Sequence, residues 1–376
     1  MLDCKAFYDA VIEKKISFFA GVPDSLLKDF CAYVTEHTDP KRHIITANEG
    51  NAIALAAGHY LATGRPGLVY MQNSGLGNAV NPLTSLVATE VYSIPLLLLI
   101  GWRGEPGVKD EPQHIKQGKI TLPLLETLDI SYSVLPNNLE EAVACLHIAV
   151  GVMDTDLSPY ALVVRKDTFK SYKLQEQAVA LYEMVREDAV KIFADWLGPR
   201  DVIVSTTGKT SRELFEHRVA SGREQLGQDF LTVGSMGHAS QIALGIALAQ
   251  PDTQVFCLDG DGALIMHMGS LAIIGTQRPR NLKHVIINNG AHDSVGGQPT
   301  AGFDIDIPAL ARACGYTVAL RAETRDELIT QLDTLRTSQG PSLLEVRVNK
   351  GSRADLGRPT TTPIENKEDF MKFLQA

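Results

Sequence analysis

Short apolar runs alternate with stretches of helical period along the whole chain. In the first half, residues 17–20, 43–46, 68–71, 95–100, 132–135 and 161–164 are dominated by apolar side chains. Runs that do not alternate with polar residues predict strands buried on both faces, as in a parallel sheet. Between them, residues 4–14, 120–128 and 139–153 have helical spacing, and further helices open at Glu49 and near Asn81. The second half repeats the scheme. Helices are predicted over 188–197, 238–249 and 263–275, and strands over 201–205, 229–232, 255–258 and 284–287. Helices around Ala309 and Leu328 and strands around Thr317 and Leu343 follow. Strands alternating with helices indicate βαβ units. The predicted fold class is therefore α/β, with two doubly wound parallel-sheet domains. Residues 168–187 lack a strand pattern and are rich in Lys, Gln and Glu. The expected division is a domain over 1–170, a linker over 171–187 and a second domain over 188–376. The polar tail after Lys350 is expected either to be mobile or to close over a site.

The densest candidate chemistry lies in residues 255–298. A strand stops at Gly260-Asp261-Gly262, a helix follows, and a second strand ends at Asn288-Asn289. In a parallel sheet the carboxyl ends of both strands open onto one edge, where ligands bind. Asp261 and Asn289 are therefore expected to meet. A carboxylate and an amide oxygen form a hard-oxygen pair suited to Mg²⁺, which completes its shell with water and phosphate. Gly260 and Gly262 let the backbone approach an anion, and the helix from Ala263 would point N–H donors at it. Either motif alone reads as a turn or a strand exit. Together, in a strand–helix–strand setting, they point to a diphosphate held through a metal.

Other candidates are less specific. Asp24 or Ser25 in the turn 21–25 can cap the following helix. Glu49 sits favourably at a helix N-terminus, ahead of the small residues Ala52, Ala54, Ala56, Ala57 and Gly58. Asn73 belongs to a glycine-rich turn, 72–78, after the third strand. The polar stretch 102–119 carries Arg103, Lys109, His114, Lys116 and Lys119. It also holds Gly and Pro, more like a shaped lid than a linker. Thr207 and Gly208 lie in a turn that resembles an anion site, although Gly-Lys-Thr here lacks the first glycine of a Walker A motif.

Composition narrows the field. The chain has 376 residues, room for two cores, and a net charge of −9, which argues against nucleic acid as a partner. An anionic substrate then needs a local basic pocket. Five cysteines without C-x-x-C spacing suggest reduced core thiols in a cytoplasmic protein. The N-terminus shows no signal-peptide pattern, and the apolar run 94–100 is too short to span a bilayer, so no membrane partner is expected.

Gly-Asp-Gly, a helix and Asn-Asn resemble the signature of thiamine diphosphate-dependent 2-oxo acid decarboxylases. The similarity extends to Gly234-Ser235-Met236-Gly237, to Glu49 and to Ile-Gly-Trp-Arg-Gly-Glu-Pro-Gly-Val-Lys-Asp-Glu-Pro-Gln-His-Ile-Lys-Gln-Gly over 100–118. The resemblance implies a pyrimidine-binding first domain and a diphosphate-binding second domain, with thiamine diphosphate and Mg²⁺ as cofactors. It implies that Glu49 activates the cofactor's pyrimidine ring, that Met236 is the apolar wedge that bends the cofactor, and that the Gly234 carbonyl holds the pyrimidine amine. Gly260, Asp261, Gly262, Ala263, Ser235, Thr207, Gly208 and Asn289 would bind cofactor. Asp261, Asn289 and the Ala291 carbonyl would bind the metal. Many relatives have Ser at the position of Ala263, where only the backbone donor is needed. Asp24, Ser25, Asn73, Arg103, Lys109, His114 and His292 are the candidates for substrate. The implied reaction is nonoxidative decarboxylation of a 3-phosphono-2-oxo acid, in phosphonate biosynthesis, by a homodimer or dimer of dimers with shared active sites. A 3-sulfo-2-oxo acid substrate, a carboligase and a noncatalytic Mg²⁺–nucleotide module are the alternatives.

Overall fold

The computed structural model describes residues 1–175, 180–223 and 227–376, so part of the expected linker, 176–179, lies outside the described residues. The chain divides into two compact units, Met1–Glu176 and Gln177–Ala376. The first holds β1 (Phe19–Gly21), β2 (His43–Ile45), β3 (Leu68–Gln72), β4 (Leu97–Gly101), β5 (Ser131–Val134) and β6 (Tyr160–Val164) in the order β2-β1-β3-β4-β6-β5. The second holds β7 (Val202–Ser205), β8 (Asp229–Leu231), β9 (Val255–Gly260), β10 (Leu282–Asn288), β11 (Val318–Ala322) and β12 (Ser342–Arg347) in the order β11-β12-β10-β9-β7-β8. Reversed, the second order repeats the first. Every pairing among these strands is parallel. The strand order turns back between β1 and β3 and between β7 and β9, which makes both units doubly wound and sets a crevice at each carboxyl edge.

The apolar runs have a direct cause. In β4, Leu97 and Leu99 enter one core and Leu98 and Ile100 the core on the opposite face. Both faces are covered, so the strand needs no polar position. Each such side chain contributes roughly 1.5–3 kcal/mol through burial.

Several elements differ from expectation. The helix expected over 263–275 is two helices, Asp261–Met266 and Ser270–Gln277, separated at His267, Met268 and Gly269. A six-residue helix has little macrodipole, so donors to an anion there are individual backbone N–H groups. The helix expected near Asn81 starts at Leu76 and carries Pro82 within it. The expected lid is a loop only as far as Glu111, because the helix Pro112–Thr127 takes up the rest, with proline at its first turn. Neither Asp24 nor Ser25 caps the helix Lys28–His37, whose N-cap is Leu27. The tail is not uniformly loose: Thr362 and Glu365 form a capping box that starts the helix Pro363–Gln375. Its Phe370 is buried and its Asn366 accepts from the Leu231 N–H at 3.0 Å.

Candidate active site

At the carboxyl edge of the first sheet, Glu49 begins the helix Glu49–Thr63 just beyond β2, with Asn48 as its N-cap. Only 5% of Glu49 is exposed. Burial raises its carboxyl above the ordinary range, opposed by a 2.7 Å hydrogen bond donated by Asn78 Nδ2. Gly75 lies against the carboxyl, and any side chain there would collide with it. The glycine in this turn is thus required by close approach rather than by an unusual φ.

Asp24, beyond β1, is completely buried. It accepts from Gln72 Nε2 at 2.8 Å and from the Leu26 N–H at 2.9 Å, and burial raises its carboxyl as well. Asn73 is also buried, and its side-chain hydrogen bonds are made within the fold. It donates to the Arg103 carbonyl and to Thr121 Oγ1 at 2.8 and 2.9 Å, and accepts from the Arg103 N–H at 3.2 Å. Arg103 is clamped: Nε and Nη2 donate to the two oxygens of Asp110 at 2.8 and 2.5 Å, and Nη1 donates to Ser25 Oγ at 2.7 Å. Burial would raise the Asp110 carboxyl, but the Arg103 fork and the N–H groups of Glu111 and Gly104 together hold it far below the usual range. His114 is buried under this loop, and burial followed by the Arg103 charge keeps its imidazole below its ordinary value. Lys109 and Lys116 are exposed. The first-unit candidates for an anion pocket are therefore not gathered into a basic cluster. One guanidinium, already paired, stands at the edge.

In the second unit, the loops after β7, β8, β9 and β10 leave the same carboxyl edge. Gly208 has φ +97°, and a side chain there would meet Ser294 Oγ at 3.0 Å. The neighbouring Lys209 Nζ donates to the Asp293 carbonyl at 2.8 Å. Ser235 and Gly237 are both left-handed, at φ 50° and 83°, so the chain turns tightly around Met236. A side chain at Gly262 would meet the His292 ring at 3.1 Å and the Met236 methyl at 3.5 Å. Met236, Gly262 and His292 are thus neighbours. Burial lowers the His292 imidazole to about 4, so the ring is neutral at pH 7. Ser235 is exposed, and Gly234 and Thr207 are half-buried in these turns.

Asp261 is 3% exposed. Burial raises its carboxyl to about 6, against hydrogen bonds from Thr300 Oγ1 and from backbone N–H groups that include those of Asn289 and Gly262. Asp261 and Asn289 therefore meet as expected, although the contact is made by the Asn289 backbone. Asn289 Oδ1 accepts from the Ala291 N–H at 3.2 Å. Among the described residues no Lys or Arg pairs with Asp261. A buried carboxylate without a charged protein partner among the described residues, at the strand end that meets Asn289, suits a hard cation, so Mg²⁺ fits here. A second group of metal-type side chains, Cys257, Asp259 and His284, lies inside the sheet on β9 and β10 and not at its edge.

Sequence reasoning missed the partners of these groups: Asn78, Gln72, Asp110, Thr300 and Asp293. Only Asp110 carried a signal, as the lone Asp in a stretch rich in bases. The others become visible when the loops converge.

Each doubly wound unit carries a buried acid at its carboxyl edge, Glu49 in the first and Asp261 in the second, the class of α/β fold in which ligands bind at that edge. Comparison with known proteins narrows that class. The model described as the N-terminal TPP binding domain of thiamine pyrophosphate enzymes matches residues 4–122, and the C-terminal TPP binding domain matches 207–346. A phosphonopyruvate decarboxylase of Streptomyces viridochromogenes is 38% identical, over 96% of this chain and 91% of that protein. One from Streptomyces hygroscopicus is 36% identical, over 95% and 90%. A sulfopyruvate decarboxylase of Methanosarcina acetivorans is 28% identical, over 90% and 89%. The chain belongs to the thiamine pyrophosphate enzyme family, in the group of the phosphonopyruvate decarboxylases. Its cofactor is thiamine diphosphate.

Proposed function

We propose that this chain catalyses the Mg²⁺-dependent, nonoxidative decarboxylation of 3-phosphonopyruvate to phosphonoacetaldehyde and CO₂, in phosphonate biosynthesis. The observation that carries this reading is the 38% identity over 96% of the chain to a phosphonopyruvate decarboxylase, against 28% to a sulfopyruvate decarboxylase. Thiamine diphosphate, when bound, supplies the carbon nucleophile for the ketone and the sink for the electrons that CO₂ leaves behind. The protein holds, orients and exchanges protons. Glu49, whose carboxyl burial shifts toward its neutral form, would offer the pyrimidine ring a carboxyl group for proton exchange. Met236 would offer an apolar body for the cofactor to rest on, and the Gly234 carbonyl an acceptor for the pyrimidine amine. Asp261, the Asn289 amide oxygen and the Ala291 carbonyl hold Mg²⁺. Thr207, Gly208, Ser235, Gly260, Gly262 and Ala263 line the diphosphate, the glycines by leaving space.

The substrate carries two anionic groups, and only the phosphonate survives the reaction. Gripping that end leaves the departing carboxylate free of overbinding. Arg103 uses three of its five N–H groups on Asp110 and Ser25, which leaves two for a phosphonate oxygen. Among the described residues no helix is long and apolar enough to cross a membrane, in keeping with a cytoplasmic enzyme. Assembly as a homodimer or dimer of dimers, with active sites shared between chains, completes the proposal.

Aldehyde release from phosphonopyruvate, sulfopyruvate and pyruvate, assayed side by side with thiamine diphosphate and Mg²⁺, tests the substrate. The phosphonate should give the highest kcat/KM; a preference for the sulfonate would overturn the assignment. Mixing inactive Glu49→Gln and Asp261→Ala chains tests the sharing. Partial recovery of activity is expected, and none after verified subunit exchange would refute it.

A further inference from the structure

A carboxamide presents nitrogen and oxygen ends of almost equal shape, and a metal ion takes only the oxygen. Whatever holds Asn289 must therefore choose which end faces the cation. Asn289 Nδ2 donates to Asp293 Oδ2 at 3.1 Å. A carboxylate oxygen only accepts, so the nitrogen end is the one that can face Asp293. Oδ1 is left on the side of Ala291, whose N–H lies 3.2 Å away.

Asp293 is itself held firmly. The same Oδ2 accepts from Arg186 Nη1 at 2.8 Å and from the Gly351 N–H at 3.0 Å. Arg186 is 5% exposed and makes a bidentate pair with the buried Glu213, both bonds 2.8 Å. Lys209 Nζ fixes the Asp293 carbonyl at 2.8 Å. Three separate segments thus converge on Asp293: the helix Arg186–Trp196 and the chain after β12 on its carboxylate, and the start of the helix Lys209–Ala220 on its backbone carbonyl. Two buried or half-buried cations are balanced by two carboxylates, an arrangement that keeps a fixed acceptor four residues beyond Asn289.

We propose that Asp293 is a positioning residue, which selects the amide orientation of Asn289 and so presents Oδ1 to the metal. The inference rests on the reading of Asp261 and Asn289 as Mg²⁺ ligands. Arg186, Glu213 and Gly351 act one step further out, by fixing Asp293. Outer partners of metal ligands commonly change metal affinity about 10- to 100-fold when removed.

The test uses the full chain and follows thiamine diphosphate binding by intrinsic fluorescence as Mg²⁺ is titrated at constant cofactor concentration. Asp293→Asn keeps the shape and removes the selection, because its side chain can either donate or accept. It should raise the Mg²⁺ needed for half-maximal binding about tenfold, while a lower melting temperature of the metal-free protein reports separately the weakened Arg186 pair. Asn289→Ala should raise it at least as much, and the double variant no further than Asn289→Ala alone, because the two residues act through one contact. Wild-type Mg²⁺ demand in Asp293→Asn, or additive losses in the double variant, would overturn the role of Asp293. Unaltered demand in Asn289→Ala would instead overturn the metal assignment itself, and the inference with it. Should Asp293→Asn fail to fold, Asp293→Ser takes its place in the same cycle.

Discussion

Asn78 donates a 2.7 Å hydrogen bond to Oε2 of Glu49 across two packed helices. The approach depends on Gly50, where a side chain would run into the Asn78 carbonyl at 2.7 Å. Burial favours the neutral carboxyl and the Asn78 bond favours the charged one, so the pair sets a balance. Asn78→Ala removes the opposing influence. The Glu49 carboxyl should then titrate at higher pH than in the wild type, read from its infrared carbonyl band in the cofactor-free protein. A midpoint that stays put or falls would contradict the balance.

Glu49→Gln keeps the shape and loses the titratable proton. Exchange of the cofactor's thiazolium C2 proton for deuterium should slow by about 10²- to 10⁴-fold, the range of general acid–base catalysis. Cofactor affinity should change little, because the proposed diphosphate contacts all lie in the other unit. Wild-type exchange would exclude the activating role.

Asp261→Ala removes the charged ligand of the proposed Mg²⁺ site. Thiamine diphosphate affinity should fall by more than the roughly 100-fold seen for outer partners, and added Mg²⁺ should no longer improve it. Equilibrium dialysis with and without Mg²⁺ makes the comparison.

Arg103 and Asp110 form the bidentate clamp of the loop after β4. Arg103→Gln should raise KM for phosphonopyruvate about tenfold or more, the loss of one charge-assisted hydrogen bond or two. Thiamine diphosphate binding should be retained. Lys109→Gln and Lys116→Gln should stay within about twofold at physiological salt, since exposed charges are screened. If all three variants keep wild-type kinetics, the anion is held elsewhere.

His43 gives a test in pH. Its Nε2 lies 2.8 Å from the Tyr70 hydroxyl, and burial lowers its imidazole to about 4. The unfolded chain would bind this proton near pH 6.5 and the folded one only near 4, so stability falls as pH drops through that window. The contribution is roughly 3.4 kcal/mol at most. His43→Gln should lessen the difference in urea midpoint between pH 7 and pH 4.5. An equal difference in both proteins would assign the acid sensitivity to other groups.

Much of this protein is fixed locally. The dry runs of β4 and β10 specify strands covered on both faces, hence a parallel sheet and a ligand edge at their carboxyl ends. Gly-Asp-Gly and Asn-Asn, each starting on the last residue of a strand, specify which residues reach that edge. Those features depend on the periodicity of one segment at a time. The partners do not. Asn78 meets Glu49 only because Gly50 lets two helices close together. Arg103 is drawn to Asp110 once the helix from Pro112 fixes the far end of its loop. Asp293 reaches Asn289 within one loop, yet is held there by Arg186 and Gly351, 107 and 58 positions away along the chain. Breaks such as Met268-Gly269 likewise escape the apolar pattern, because Leu264, Met268 and Leu271 satisfy helical spacing whether or not the backbone remains helical between them. The sequence determines which groups arrive at the edge. Only the packed structure decides which of them are paired, buried and turned to face a ligand, because those outcomes depend on neighbours from distant segments.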